Sequence, residues 1–67
     1  MTIYCIRTRR PGEHSWQFVC RGEAVTDRRR LALTWDSEQL AGRWLPHFAR
    51  VLPGRELRVS PVTACNV

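Results

Sequence analysis

Residues 36–52 read DSEQLAGRWLPHFARVL, and this stretch decides the fold. Leu40, Ala41, Trp44, Leu45, Phe48, Ala49, Val51 and Leu52 recur at three- and four-residue intervals, the period that gathers apolar side chains on one face of an α-helix. The opening Asp36-Ser37-Glu38-Gln39 is a capping signature: Asp36 is placed to cap the amide of Gln39, Gln39 to reach back, and Glu38 to oppose the helix dipole. Pro53-Gly54 supplies the stop. Within the helix Pro46 removes one backbone hydrogen bond, so a kink or break is expected near Arg43 to Pro46. Arg43, His47 and Arg50 edge the stripe, which is expected to cover a sheet.

On the amino-terminal side, Ile3 to Thr8 and Ser15 to Arg21 are rich in aromatic and β-branched residues, and RRPGEH with its Pro11-Gly12 turn separates them. They read as a β-hairpin. Alternation puts Trp16, Phe18 and Cys20 on one face of the second strand, expected to be the core face, with Gln17, Val19 and Arg21 on the other. In the first strand Tyr4, Ile6 and Thr8 are assigned to the core, which leaves Cys5, Arg7 and Arg9 on an uncovered basic face. RGEAVTD reads as a turn, LALTW at residues 31–35 as a short third strand, and Glu56 to Ser60 as a last strand with Leu57 and Val59 inward and Arg58 outward, interrupted at Pro61. The crossover rule places that last strand parallel to the first, in the order 3-2-1-4. The fold expected is therefore α+β: a small antiparallel-dominated sheet of three to four strands, ββ(β)αβ, with one kinked helix packed on one face. One domain spans residues 1–67, and residues 61–67 form a loose tail.

All eleven basic residues are arginine, against six acids, giving a formal charge of +5. Seven arginines and three acids fall in residues 1–30, so the excess is amino-terminal and favours an anionic partner. Arginine without lysine fits the codon usage of a GC-rich genome; it also fits interfaces, because guanidinium forks pair with phosphate or carboxylate and stack on rings. Arg7, Arg9, Arg10, Arg21, Arg28, Arg29 and Arg30 are the candidate residues for binding a partner protein or nucleic acid.

Catalysis is not expected. Lysine is absent, which excludes Schiff-base and P-loop chemistry, and neither a glycine-rich phosphate cradle nor an inward carboxylate pair is present. Cys5, Cys20 and Cys65 are odd in number and lack CxxC spacing, and with His14 and His47 they form no zinc pattern, so reduced thiols and no metal or cofactor are expected. No apolar stretch approaches the roughly 20 residues that span a bilayer, and MTIYCIRTRR reverses the charge order of a secretory signal. A cytoplasmic protein of a bacterial host, without a membrane partner, is expected.

DRRRLALTWDSEQLAGRWLPHF (residues 27–48) and LPGRELRVSPV (residues 52–62) together resemble a pattern in small open reading frames of phages and mobile elements of GC-rich bacteria, in which an aromatic-bearing strand precedes a capped helix. The resemblance implies a stoichiometric inhibitor of host machinery, anti-CRISPR proteins included, and carries no residue role; the basic charge departs from the acidic nucleic-acid mimicry common there. The functional expectation is a small non-enzymatic binding protein of this type that modulates a host nucleic-acid-handling complex. The alternative is direct nucleic-acid binding through the arginine-rich sheet face, which the expected burial of Trp16 and Phe18 would deprive of a stacking platform. Free sheet edges in so short a chain also allow a homodimer.

Overall fold

The computed structural model describes residues 2–62; the tail from residue 63 onward and Cys65 lie outside them. Five strands and one helix follow in the order β1 (Ile3–Arg9), β2 (Gln17–Cys20), β3 (Ala24–Thr26), β4 (Thr34–Trp35), α1 (Glu38–Val51) and β5 (Glu56–Val62). The architecture is α+β, an antiparallel sheet curled into a half-barrel with one helix against it. β1 is its axis. β5 pairs along the whole of one edge of β1, from Ile3↔Val62 to Arg9↔Glu56. The other edge is shared, with β2 at Arg7↔Phe18 and Thr8↔Gln17 and with β4 at Tyr4↔Trp35 and Cys5↔Thr34. β3 extends the sheet beyond β2 through Phe18↔Thr26, Val19↔Val25 and Cys20↔Ala24.

Three expectations of topology are corrected. RGEAVTD contains a strand, β3, because a 3₁₀ turn at Arg21–Glu23 with Gly22 at φ +74° reverses the chain tightly enough for Val25 to pair Val19. The third expected strand shortens to Thr34–Trp35 and lies on β1. The last strand is antiparallel to the first. The crossover rule applies instead to β4, α1 and β5: both flanking strands run antiparallel to β1, hence parallel to each other, with β1 between them. Pro61 sits inside β5 without ending it, because β5 is paired through β1 alone among the described strands, and an edge strand tolerates a missing donor.

The helix begins one residue later than the capping signature suggested. Ser37 is the cap, in extended geometry at φ −140°, and its Oγ accepts from the Leu40 amide at 3.1 Å. Of the expected kink or break, the break does not occur: α1 is a single helix of 14 residues with Pro46 inside it. Pro46 is exposed, and the carbonyl that loses its donor belongs to Gly42, a half-buried glycine that leaves that carbonyl room to turn toward water.

α1 packs Phe48 over Ile6 of β1 and Val19 of β2, the centre of a core completed by Leu33, Trp35, Leu45, Val51, Leu52, Leu57 and Val59. Trp35, Trp44 and Phe48 form an aromatic cluster with centroids 6.3–6.5 Å apart. At one end of the core Arg55 acts as a polar plug. Its Nε donates to the hydroxyl of buried Thr8 at 3.1 Å and its Nη2 to Gln17 Oε1 at 2.7 Å, joining two residues that are cross-strand partners. At the other end His47 Nε2 approaches Glu23 Oε2 to 2.9 Å, tying the β2–β3 turn to the helix.

Two helix substitutions test these assignments by chemical denaturation. Ser37→Ala lowers stability by about 1 kcal/mol and Asp36→Ala by clearly less; the reverse order would return the cap to Asp36. Pro46→Ala restores a donor to Gly42 and raises stability, by up to about 3 kcal/mol; a loss would mean that the fold requires the proline.

Candidate nucleic-acid interface

The register sorts the two faces of the sheet. Residues opposite one another in an antiparallel pair share a face, so Ile6 and Val19 mark the helix side, and Arg7↔Phe18 and Arg7↔Arg58 mark the reverse. The expectation that Trp16, Phe18 and Cys20 face the core is therefore overturned; Val19 takes that place. Beneath α1 the volume is already filled by Trp35, Leu45, Phe48, Leu57 and Val59, and a compact β-branched side chain fits where a phenyl ring would not. The first strand keeps its expected parity.

On the reverse face guanidinium groups and rings alternate. Arg9 lies 4.3 Å from the centre of the Trp16 ring, Arg58 lies 5.6 Å from the same ring, and Arg7 lies 5.7 Å from Phe18. Each contact is a cation–π pair that holds a flat donor fork beside an aromatic surface. Arg9 is further fixed by Glu56, through Nε to Oε2 at 3.2 Å and Nη2 to Oε1 at 3.4 Å, and by the Glu13 carbonyl, which accepts from Nη1 at 3.2 Å. Its charge is thus matched by a carboxylate. Arg7 and Arg58 have no carboxylate partner among the described residues, and the Nε of Arg7 is buried without a hydrogen-bond acceptor.

The run Arg28 to Arg30 is carried to this same side by topology. β3 lies on the outer edge of β2, whereas Ala32 bridges Cys20 and the Leu33 amide donates to the Val19 carbonyl at 3.0 Å on the inner edge. Residues 27–31 must cross the strand between them, and α1 occupies the other face. Arg29 acts electrostatically on Cys5, a reverse-face residue, in keeping with that path. Arg28 and Arg30 are exposed on the crossing. Of the other expected binding residues, Arg10 is exposed at the hairpin turn, its amide donating to Glu13 Oε1 at 3.0 Å, and Arg21 lies in the 3₁₀ turn whose Glu23 meets the helix, apart from the stacked rings. Arg58 was not foreseen as a site residue, and Trp16 and Phe18 were assigned to the core. The signal available was the matching two-residue spacing of Arg7 and Arg9 with Trp16 and Phe18.

Two depressions border these surfaces. One, of about 510 Å³, lies between the hairpin loop and the end of β3 and is lined by Glu13, His14, Ser15, Trp16, Gln17 and Asp27. The other, of about 230 Å³ and almost wholly apolar, lies between β4 and α1 and is lined by Leu33, Thr34, Trp35, Trp44 and Phe48. Trp44 and Leu40 are 45 and 43% exposed, so the helix stripe is not fully covered, and Leu31 in the turn before β4 is 53% exposed. Among the described residues no group of three or more His, Cys, Asp or Glu side chains is arranged to hold a metal ion, and no helix is long and apolar enough to cross a membrane. Comparison with known protein families, with curated proteins and with solved structures finds no match.

Cys5 is fully buried beneath this face, and burial pushes its thiol above the ordinary value of 9.0 against the pull of the Arg7 and Arg29 charges. The folded protein therefore keeps this proton longer than the unfolded chain; the stability contributed is present below pH 9.0 and declines above it. Iodoacetamide at pH 8 is expected to alkylate half-buried Cys20 while Cys5 stays unmodified, read by peptide mass mapping. Equal labelling of the two in the folded protein would show that Cys5 is open to solvent.

Proposed function

We propose that the protein binds single-stranded nucleic acid without catalysis, through the sheet face that the helix leaves uncovered. One observation carries this reading: three guanidinium groups, Arg7, Arg9 and Arg58, interleave with the rings of Trp16 and Phe18 on that face. Guanidinium groups take phosphate oxygens through paired hydrogen bonds, and rings take unpaired bases by stacking, which is the division of labour a flexible strand requires. A duplex offers the phosphates and hides the base faces, so single strands are favoured. Arg28 and Arg30 on the crossing segment and Arg10 at the hairpin turn widen the positive border along which a backbone can run.

A second reading has its own support. Leu40 and Trp44, one helical turn apart and exposed beside an apolar cleft, suit a protein partner, as expected of a stoichiometric inhibitor of a host nucleic-acid-handling complex. Salt separates the two, since phosphate contacts release counterions and an apolar anchor does not.

Fluorescence anisotropy with a labelled single strand and a duplex, at low and at physiological salt, tests the first reading. Binding to the single strand is expected to weaken with salt by a slope of about −0.7 for each phosphate contacted, and Arg58→Gln to reduce that slope by about 0.7. Trp16→Ala is expected to cost about 1–3 kcal/mol of affinity. No binding at low salt would sink this reading. The second is decided by a stoichiometric partner captured from a bacterial lysate at high salt and lost on Trp44→Ser; recovery of none counts against it.

A further inference from the structure

From the depression beside Trp16 we infer that the protein reads one base of the bound strand and prefers guanine there; the inference rests on the single-strand reading above. The depression, about 510 Å³, falls within the range of small-ligand sites and borders the stacked ring. Its lining is unlike the rest of the face. Glu13 and Asp27 bring carboxylates, so a phosphate is repelled from it while Arg10 and Arg28, near them in the chain, attract the backbone. A strand following the basic border thus turns its phosphates outward and a base inward.

The unused hydrogen-bonding groups specify which base. Glu13 Oε1 is taken by the Arg10 amide and Gln17 Oε1 by Arg55, whereas the Asp27 carboxylate has no hydrogen-bond partner among the described residues. An ionised carboxylate is an acceptor with two oxygens and matches two parallel donors. Guanine presents that pair on its Watson–Crick edge, the ring N1–H and the exocyclic 2-amino group; adenine and cytosine offer one amino group, and thymine or uracil one ring N–H. The Ser15 hydroxyl, in the same lining, supplies a donor for guanine O6. Trp16 lines the same space and provides the stacking surface.

The test uses the full chain and labelled twelve-nucleotide strands of thymidine that carry one central guest: guanine, hypoxanthine, adenine, cytosine or thymine. Guanine is expected to bind about tenfold tighter than thymine. Hypoxanthine, which lacks the 2-amino group, should fall between them. Asp27→Asn, an exposed substitution whose folding is checked by circular dichroism, should bring the guanine-to-thymine ratio to within about twofold. Measurable binding with all five guests within about twofold of one another overturns this inference and leaves the single-strand reading standing. Guanine preference that survives Asp27→Asn overturns the assignment to this cleft. Absence of binding to every strand at low salt overturns both.

Discussion

Everything in this fold turns on which side of β2 meets the helix. Val19 meets Phe48 and Ile6, and because side chains alternate with a period of two, that single contact sends Trp16, Phe18 and Cys20 to the opposite face as a set. A slip of one residue would bury two rings beneath α1 and leave Val19 in the wet layer. The arrangement is held from both sides. On the helix side Arg55 joins Thr8 to Gln17, which locks the register at the end of the pair, and on the reverse side Arg7 and Arg9 cover the rings that the core excludes. Rings of this size are costly to leave in water, and a stacked guanidinium group removes part of their surface while staying hydrated at its rim.

The second constraint is the fork along β1. β2 and β4 divide one of its edges, so the chain has to pass over β2 to travel from β3 to β4, and the arginine run lies on that passage. Cys5, on the face this passage crosses, is fully buried. Charge is graded along that face. Arg9 is neutralised by Glu56 and serves to position Trp16, whereas Arg7, Arg58 and the exposed Arg28 and Arg30 hold the excess. Arginine suits both tasks for one reason: its charge is spread over a plane that can stack and donate at once. Codon usage bears on the choice of arginine over lysine and not on where the side chains lie, and three cation–π pairs gather on one face.

The helix side shows how a chain of 67 residues manages with few fully buried side chains. Ile6, Val19, Ala41 and Phe48 are sealed, and the wider ring is half-exposed, so much of the apolar surface works by partial cover. Trp44 meets Trp35 and Phe48 in tilted ring contacts and is 45% exposed beside an apolar cleft. The two surfaces of the protein therefore differ in kind, one charged and aromatic, the other apolar.

By itself the sequence determined the elements with strong local signals. The three- and four-residue apolar spacing fixed α1 between Asp36 and Leu52, the Pro11-Gly12 turn fixed the hairpin, and alternation in β5 fixed Leu57 and Val59 inward with Arg58 outward. These follow from interactions between near neighbours in the chain. The tertiary structure alone decided the parity of β2, the direction of β5 and the existence of β3. In β2 both faces carry apolar groups, Phe18 and Cys20 against Val19, so alternation had no preferred answer until Phe48, Leu57 and Trp35 had filled the helix side. The direction of β5 depends on which strand precedes the helix, and the short β4 carries too few residues to announce its partner. The aromatic half of the proposed site was hidden for the same reason: a ring in an amphipathic strand reads as core until the volume available to the core is known.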